Sequence, residues 1–247
     1  MLICLNLIDH YELLGYSKQN DTSMGVSIIN EINKDSFRQN LSRYTWQAYH
    51  LLPQIKAPFI LDAGCGTGVP AVELAVLSRG WVTAVDTDKT ALALLREKAK
   101  ALDLTDHIKV VKADIKNLKC KKASFDIVWC EGSISAVGFE KGLQMWRCFL
   151  KPGGFMVVHD EIKDYKQKIA VIPQCGYRLI DHFIISADIW LREYFKPLEE
   201  RINELRSTYS AKPHLIEILN KEGYEIELFK SRPNDFASVF YIMQSQS

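Results

Sequence analysis

Apolar residues fall at positions 37, 41, 44, 48 and 51, at steps of four and three. The stretch KDSFRQNLSRYTWQAYHLL is therefore predicted to be a helix with one buried face, in an N-terminal region, 1 to 55, that reads as helical and irregular. From residue 59 the pattern changes. Short apolar runs (FILDA, WVTAVD, HIKVVKAD, FDIVWCE, GFMVVHD) alternate with longer stretches of helical period. One helix begins near Val69, with Pro70 in its first turn, where a missing N–H costs nothing. Thr87 or Asp88 caps the next, KTALALLREKAKAL. FEKGLQMWRCFL is a third, stopped by Lys151-Pro152-Gly153-Gly154. Five rounds of strand and helix predict an α/β protein with a doubly wound, mostly parallel sheet, and the unbroken apolar runs fit strands covered on both faces. After residue 161, KDYKQKIAVIPQCG reads as helix then turn, and YRLIDHFII as a sixth strand. Residues 188 to 222 read as largely helical, and ASVFYIMQS as a seventh strand. YEIELFK, 224 to 230, alternates like a strand but is read as helix.

In such sheets ligands bind beyond the carboxyl ends of the strands. The predicted strands end in Asp62, Asp86, Asp114, Glu131 and the trio His159-Asp160-Glu161. One acid at a strand end is ordinarily a cap or a turn former; five in succession form a pattern. After the first strand, Gly64, Gly66 and Gly68 alternate with Cys65 and Thr67, a glycine density that lets the backbone approach a ligand closely. A dinucleotide loop, GxGxxG, would place its third glycine at 69, which is valine. A phosphate loop needs Gly-Lys followed by Ser or Thr, and the loop has no lysine. A GxGxG loop beside Asp62 suits a ligand with a cationic part. Asp86, 24 positions after Asp62, can accept from both hydroxyls of a ribose, a role common to nicotinamide and adenosyl ligands. Asp114 is either a turn former or an acceptor for an exocyclic adenine amine.

Charge and cysteine usage narrow the partners. Lys and Arg number 31, Asp and Glu 30, so a net charge of +1 gives no general attraction to nucleic acid or anionic membrane. KCKK at 119 to 122 reads as a solvated loop. The six cysteines show neither CxxC spacing nor a metal-ligand cluster with His, which points to reduced thiols, a cytoplasmic protein and no metal. The opening MLICLNLIDHYELLG lacks a basic leader, and no run approaches the ~18 apolar residues of a membrane span.

The motifs LDAGCGTG, AVDTD, KADI and LKPGGFMVV, in that order, resemble those of class I S-adenosylmethionine-dependent methyltransferases, over roughly residues 58 to 160. The stretch WCEGSISAVGFEKGLQMWRCFLKPGGFMVVHDE and the later DIWLREYFKPLEE resemble a subgroup of uncharacterised bacterial and archaeal small-molecule methyltransferases. The resemblance implies a Rossmann-like sheet in a single domain: a helical cap in 1–55, a cofactor-binding core in 58–160 and a helical insertion, 186–222, over the acceptor pocket. It also implies S-adenosylmethionine as cofactor. Asp62 with the Gly64 and Gly66 backbone would hold the methionine moiety, Cys65 acting as a small residue of that loop and not as a nucleophile. Asp86, with Thr87 beside it, would hold the ribose, and Asp114 with the Ile115 backbone the adenine. Glu131 would lie near the sulfonium.

The implied reaction is in-line methyl transfer to a small-molecule acceptor, in which the protein supplies approach geometry and dehydration. A general base is needed only for an acceptor that is protonated, and the candidates are Glu131, His159 and Glu161. The fourth strand ends in CEGS, not in the Asn/Asp-Pro-Pro-aromatic motif of amide and exocyclic-amine methylation. Cys130 lacks the preceding proline of cytosine methylation. Tyr11, Tyr44, Trp46, Trp190 and Tyr194 could line the acceptor pocket, in a lid formed by 1–55 and 186–210, or pack helices on the sheet. The alternatives are a nicotinamide-dependent oxidoreductase and a non-catalytic adenosylmethionine-binding module.

Overall fold

The computed structural model describes residues 24–246 of the chain. Seven strands form one sheet: β1 Phe59–Ala63, β2 Trp81–Asp86, β3 Ile108–Lys112, β4 Phe125–Glu131, β5 Leu150–Glu161, β6 Tyr177–Ile185 and β7 Ser238–Ser245. Their order is β3-β2-β1-β4-β5-β7-β6. β1 to β5 pair in parallel, while β7 runs antiparallel between β5 and β6. The chain winds outward from β1 to β3, then returns to lay β4 on the other side of β1. The switch point therefore lies between β1 and β4, where such sheets open a crevice.

The two faces of the sheet carry separate apolar cores. Ile60, Trp129, Val157, Phe240 and Ile242 pack under α4 (Val69–Ser78) and α5 (Lys89–Ala101). Leu61, Val128, Met156, Val158 and Tyr241 pack under α6 (Phe139–Arg147) and α7 (Tyr165–Val171). Neighbouring residues alternate between the clusters, as the two-residue period of a strand requires. Asp88 caps α5, accepting from the N–H groups of Thr90 and Ala91.

Boundaries differ from the sequence reading at several points: KDSFRQNLSRYTWQAYHLL divides into two helices at Asn40 and Leu41, and β3 stops at Lys112, short of Asp114. Lys151 to Gly154 do not follow a helix as its stop; α6 already ends at Arg147 and β5 starts at Leu150. The register jumps from Phe125↔Leu150 to Ile127↔Phe155, so those four residues bulge opposite the single Asp126. Gly153 supplies the positive φ of +71° that the bulge needs, and the Lys151 ammonium holds both carboxylate oxygens of Asp126. Residues 224 to 231 are helical, as expected.

A third apolar cluster joins the start of the described chain to its late helices. α1 (Met24–Ile32) places Ile28 and Ile32 against Phe195, Leu198, Ile202, Leu215, Leu219 and Phe229 of α9 (Lys196–Thr208), α10 (Pro213–Glu222), α11 (Tyr224–Ser231) and the turn before them. That turn, Leu191–Phe195, follows the short α8 (Ala187–Trp190) and is a π-helical turn. Its cause is local: Pro197 has no N–H for the carbonyl of Glu193, four residues earlier, and its ring crowds that carbonyl. The side-chain amide of Asn40 donates to the Glu193 oxygen instead, at 2.8 Å. Asn40 lies just after α2 (Lys34–Gln39), ahead of α3 (Ser42–His50). Among the described residues, no helix is long and apolar enough to cross a membrane.

Candidate cofactor and active site

The glycine loop is held from several sides. The N–H groups of Gly64 and Cys65 donate to the Val85 carbonyl, and the Gly66 N–H donates to Asp86 Oδ2 at 2.8 Å. Gly64, Gly66 and Gly68 all have positive φ. A Cβ on Gly64 would lie 2.2 Å from Ser133 Oγ, and one on Gly68 2.2 Å from Leu95. These two glycines admit close neighbours inside the protein. A Cβ on Gly66 would meet nothing within 4 Å among the described residues, so no close neighbour requires glycine there. Gly68, not residue 69, brings α4 against α5, and Val69 is buried.

Asp62 lies inside β1, opposite Trp129, and is 1% exposed. Its Oδ2 has no hydrogen-bond partner among the described residues. Burial, with Glu131 and Asp86 nearby, holds the Asp62 carboxyl well above the usual range. Asp86 ends β2, and its Oδ1 accepts from the Asp88 N–H at 2.9 Å. Each of its oxygens thus receives one backbone donor and keeps further acceptor capacity. Thr87 beside it is exposed. Asp114 accepts from the Lys116 N–H and starts a short 3-10 turn, in which Ile115 is buried and gives its carbonyl to Trp146 Nε1. Burial raises the Cys65 thiol far above its usual value, which leaves it protonated and poorly nucleophilic.

Glu131 has a different part from the one its position suggests. Its side chain is 4% exposed and forms an ion pair with Arg38 of α2. Thr45 Oγ1 of α3 and Trp129 Nε1 donate to its Oε1, at 2.9 and 2.8 Å. Burial alone would raise this carboxyl; the Arg38 guanidinium and the surrounding donors outweigh burial and bring it down to about 2. Groups of α2 and α3 hold it as an anion.

His159 is the register partner of Glu131, and its Nδ1 lies 3.7 Å from Glu131 Oε2. Its Nε2 lies 2.7 Å from Ser238 Oγ. Its ring stacks on Phe240, centroids 4.1 Å apart, and burial lowers its basicity. One ring nitrogen is thus engaged and the other faces an anion. The strand period also divides the trio: Asp160 faces the other side and pairs with Lys168 of α7 at 2.6 Å. Glu161 is exposed at the strand end.

The aromatic candidates are tied into packing. Trp190 Nε1 donates to Ser238 Oγ, Tyr194 Oη to Glu225, and Tyr44 Oη accepts from Arg43. Tyr44 also lies 6.4 Å from Phe183 between ring centroids. Trp46, on α3, sits beside Glu73 of α4. Tyr11 falls outside the described residues. Sequence reasoning missed the residues that join cap to core: Asp35, Arg38, Ser42 and Thr45. They lie three, four and three positions apart, a polar stripe beside the apolar one already noted. Ser42 donates to Glu73, whose carboxyl burial pushes up to about 7. Thr67 Oγ1 donates to Asp35 Oδ1 at 2.6 Å.

Known proteins share this fold and part of this sequence. Residues 60–154 match the family described as "Methyltransferase domain". Over 127 residues the chain is 28% identical to the sterol 24-C-methyltransferase of Eremothecium gossypii, covering 51% of this chain and 34% of that protein. The chain spans less than half the length of this and other curated relatives it matches. In fold it resembles a SAM-dependent methyltransferase from Thiobacillus denitrificans, solved with S-adenosyl-L-homocysteine: TM-score 0.68, 16% identity, 88% of this chain and 98% of that one. It also resembles the [4+2]-cyclase SpnF, with a TM-score of 0.69, 16% identity, and 83% and 81% covered. Residues 60–154 thus match a methyltransferase domain, and the fold around them is one shared with a SAM-dependent methyltransferase of known structure.

Proposed function

We propose that the protein transfers a methyl group from S-adenosylmethionine to a small-molecule acceptor. The observation that carries this reading is Asp62, a buried carboxyl with one oxygen that has no partner among the described residues, next to a loop whose Gly66 has open space where a side chain would stand. A buried anion without a partner is costly, and a cationic ligand removes the cost. Asp62 and the Gly64–Gly66 backbone would hold the methionine moiety, Cys65 serving only as a small residue between them. Asp86, with Thr87 beside it, would hold the ribose through its remaining acceptor sites; Asp114 and the Ile115 backbone would hold the adenine.

When bound, the cofactor supplies a methyl on a positively charged sulfur, with its own leaving group. The chain's part is then to align the acceptor and keep water out. Glu131 keeps its charge near the reacting end without moving a proton. Neither Glu131 nor His159 is free to act as a base, which favours an acceptor whose nucleophile is unprotonated at working pH. Tyr44, Trp190 and Tyr194, whose polar tips are engaged, would offer ring surface, as suits an apolar or amphipathic acceptor. In this reading residues 1–55 and 186–222 form the cover of a single domain built on 58–160, Tyr11 belonging to that cover. The near-zero net charge supports a role without nucleic acid or anionic membrane partners, and the scattered cysteines support a cytoplasmic one.

Titration calorimetry tests the reading. S-adenosylhomocysteine should bind and NAD should not; NAD binding without a response to S-adenosylhomocysteine would replace it with the oxidoreductase reading. A methyl-transfer screen against metabolite pools then separates an enzyme from a binding module.

A further inference from the structure

α2 lies across the switch-point crevice and touches both of its banks. On the β1 bank, Asp35 accepts from Thr67 Oγ1, in the middle of the glycine loop, and pairs with the Lys98 ammonium of α5. Lys98 is 7% exposed and also donates to the Thr67 carbonyl at 2.8 Å. Asp35, Thr67 and Lys98 therefore form a closed triangle, with the loop residue bonded through both its hydroxyl and its carbonyl. One helical turn on, Arg38 reaches the other bank and pairs with Glu131 at the end of β4. The Arg38 side chain is 21% exposed, against 4% for Glu131.

We propose that α2 is a positioning strap for the cofactor, pinned to the glycine loop by Asp35 and latched over the crevice by Arg38. The inference rests on the reading that the crevice takes S-adenosylmethionine. Its reasons are geometric. Any ligand at Gly66 and Asp62 sits between the two banks that α2 joins. Asp35 holds the loop bank through two bonds, to Thr67 and to Lys98, which also bond each other, whereas Arg38 holds the other bank through one ion pair. Such an asymmetry makes the latch the part that opens. Beside the apolar contacts of Ala48 and Leu52, the seam carries the polar groups of Asp35, Arg38, Ser42 and Thr45, as suits surfaces that part and rejoin better than a wholly apolar seam would. Because Asp35 holds the same loop whose backbone faces the ligand, ordering of that loop and docking of the cap are coupled in both directions.

The consequence is kinetic for one residue and thermodynamic for the other. Arg38→Ala should speed both association and dissociation of S-adenosylhomocysteine, by roughly tenfold each, because a charge-assisted bond no longer closes the crevice. Its affinity should change much less. Asp35→Asn should weaken affinity roughly tenfold through a looser loop. Arg38→Gln, which keeps an N–H donor for Glu131, stands beside Arg38→Ala in case the truncation unfolds the chain.

The experiment is stopped-flow binding of S-adenosylhomocysteine to the full chain, with amide exchange of residues 34–50 and 64–69 followed in parallel. We expect faster rates and faster exchange at 34–50 in the Arg38 variants. In Asp35→Asn we expect faster exchange in both segments with a loss of affinity. Ligand should slow exchange at 34–50 in the wild type. Wild-type rates in folded Arg38 variants, or unchanged affinity in Asp35→Asn, overturn the strap. A wild-type chain that ignores S-adenosylhomocysteine overturns the functional reading and the strap with it.

Discussion

Trp190 and His159 lie ring to ring, nearly parallel at 7° with centroids 6.1 Å apart, and both bind the same atom, Ser238 Oγ. An indole N–H can only donate, so Ser238 accepts from Trp190. Its own hydroxyl proton is then available to His159 Nε2, and the imidazole proton lies on Nδ1, toward the Glu131 anion. One serine on β7 thus joins the late helical segment to the site strand. Ser238→Ala should leave two buried polar atoms unpaired and cost about 1–3 kcal/mol. Urea unfolding followed by tryptophan fluorescence checks this. A stability equal to wild type would mean that water replaces the hydroxyl.

Asp62 should behave as a residue whose charge opposes folding of the free protein. Its folded-state carboxyl is raised, so the native state holds a proton more tightly than the unfolded chain does. Stability contributed by this group therefore falls as pH rises from the ordinary carboxylate range through the raised native value. Asp62→Asn removes that dependence. Without ligand it should melt at or above the wild-type temperature at neutral pH, while S-adenosylhomocysteine affinity drops roughly tenfold or more. Thermal melts with and without ligand read both effects.

Glu131 should behave in the opposite way. Its carboxyl is lowered to about 2 in the folded protein, so its stabilisation is present above the unfolded value and is lost as pH falls toward 2. Glu131→Gln should be destabilised near neutrality by on the order of 3 kcal/mol, with Arg38 left unneutralised. The gap to wild type should close on acidification. Urea midpoints across pH 7 to 3 measure it, and a gap independent of pH would argue against the ion pair as its source.

Glu73 introduces a dependence nearer neutrality. Burial pushes its carboxyl up to about 7, against an ordinary value near 4.5. Wild-type stability should therefore decline between about pH 4.5 and 7 from this group and level off above. Glu73→Gln should flatten that limb and melt higher than wild type at pH 8. Since Ser42 donates to Glu73, amide exchange in α3 should show the same pH trend.

The late helical segment has its own test in Asn40. Its amide satisfies the Glu193 carbonyl that Pro197 leaves without a donor. Asn40→Ala should cost about 1 kcal/mol, and pairing it with Pro197→Ala should recover part of the loss, because the helix can then supply the N–H itself. A double-mutant cycle by urea unfolding gives the coupling, and strict additivity would deny it.

Local period and turn chemistry made most of the frame legible in the sequence. The five apolar runs alternating with helical stretches are decided by neighbouring residues, and they emerged as β1 to β5 with their intervening helices. So did the Asp88 cap, the glycine loop, and the helix at 224–231. The KPGG stretch misled because proline and glycine end helices and also build bulges; only its pairing opposite Asp126 separates the two. The partners of Glu131 and His159 were beyond reach for a stronger reason. A strand-end acid reads the same whether it awaits a substrate or is already paired, and its partner Arg38 stands 93 positions away. The sequence by itself determined where the acids and glycines stand along each element. Only the folded arrangement decides which of them are compensated: Glu131 by Arg38 and Thr45, while Asp62 keeps a buried oxygen without a partner among the described residues. Charge compensation is set by distance and burial, and neither is a property of sequence spacing once the chain has folded back on itself.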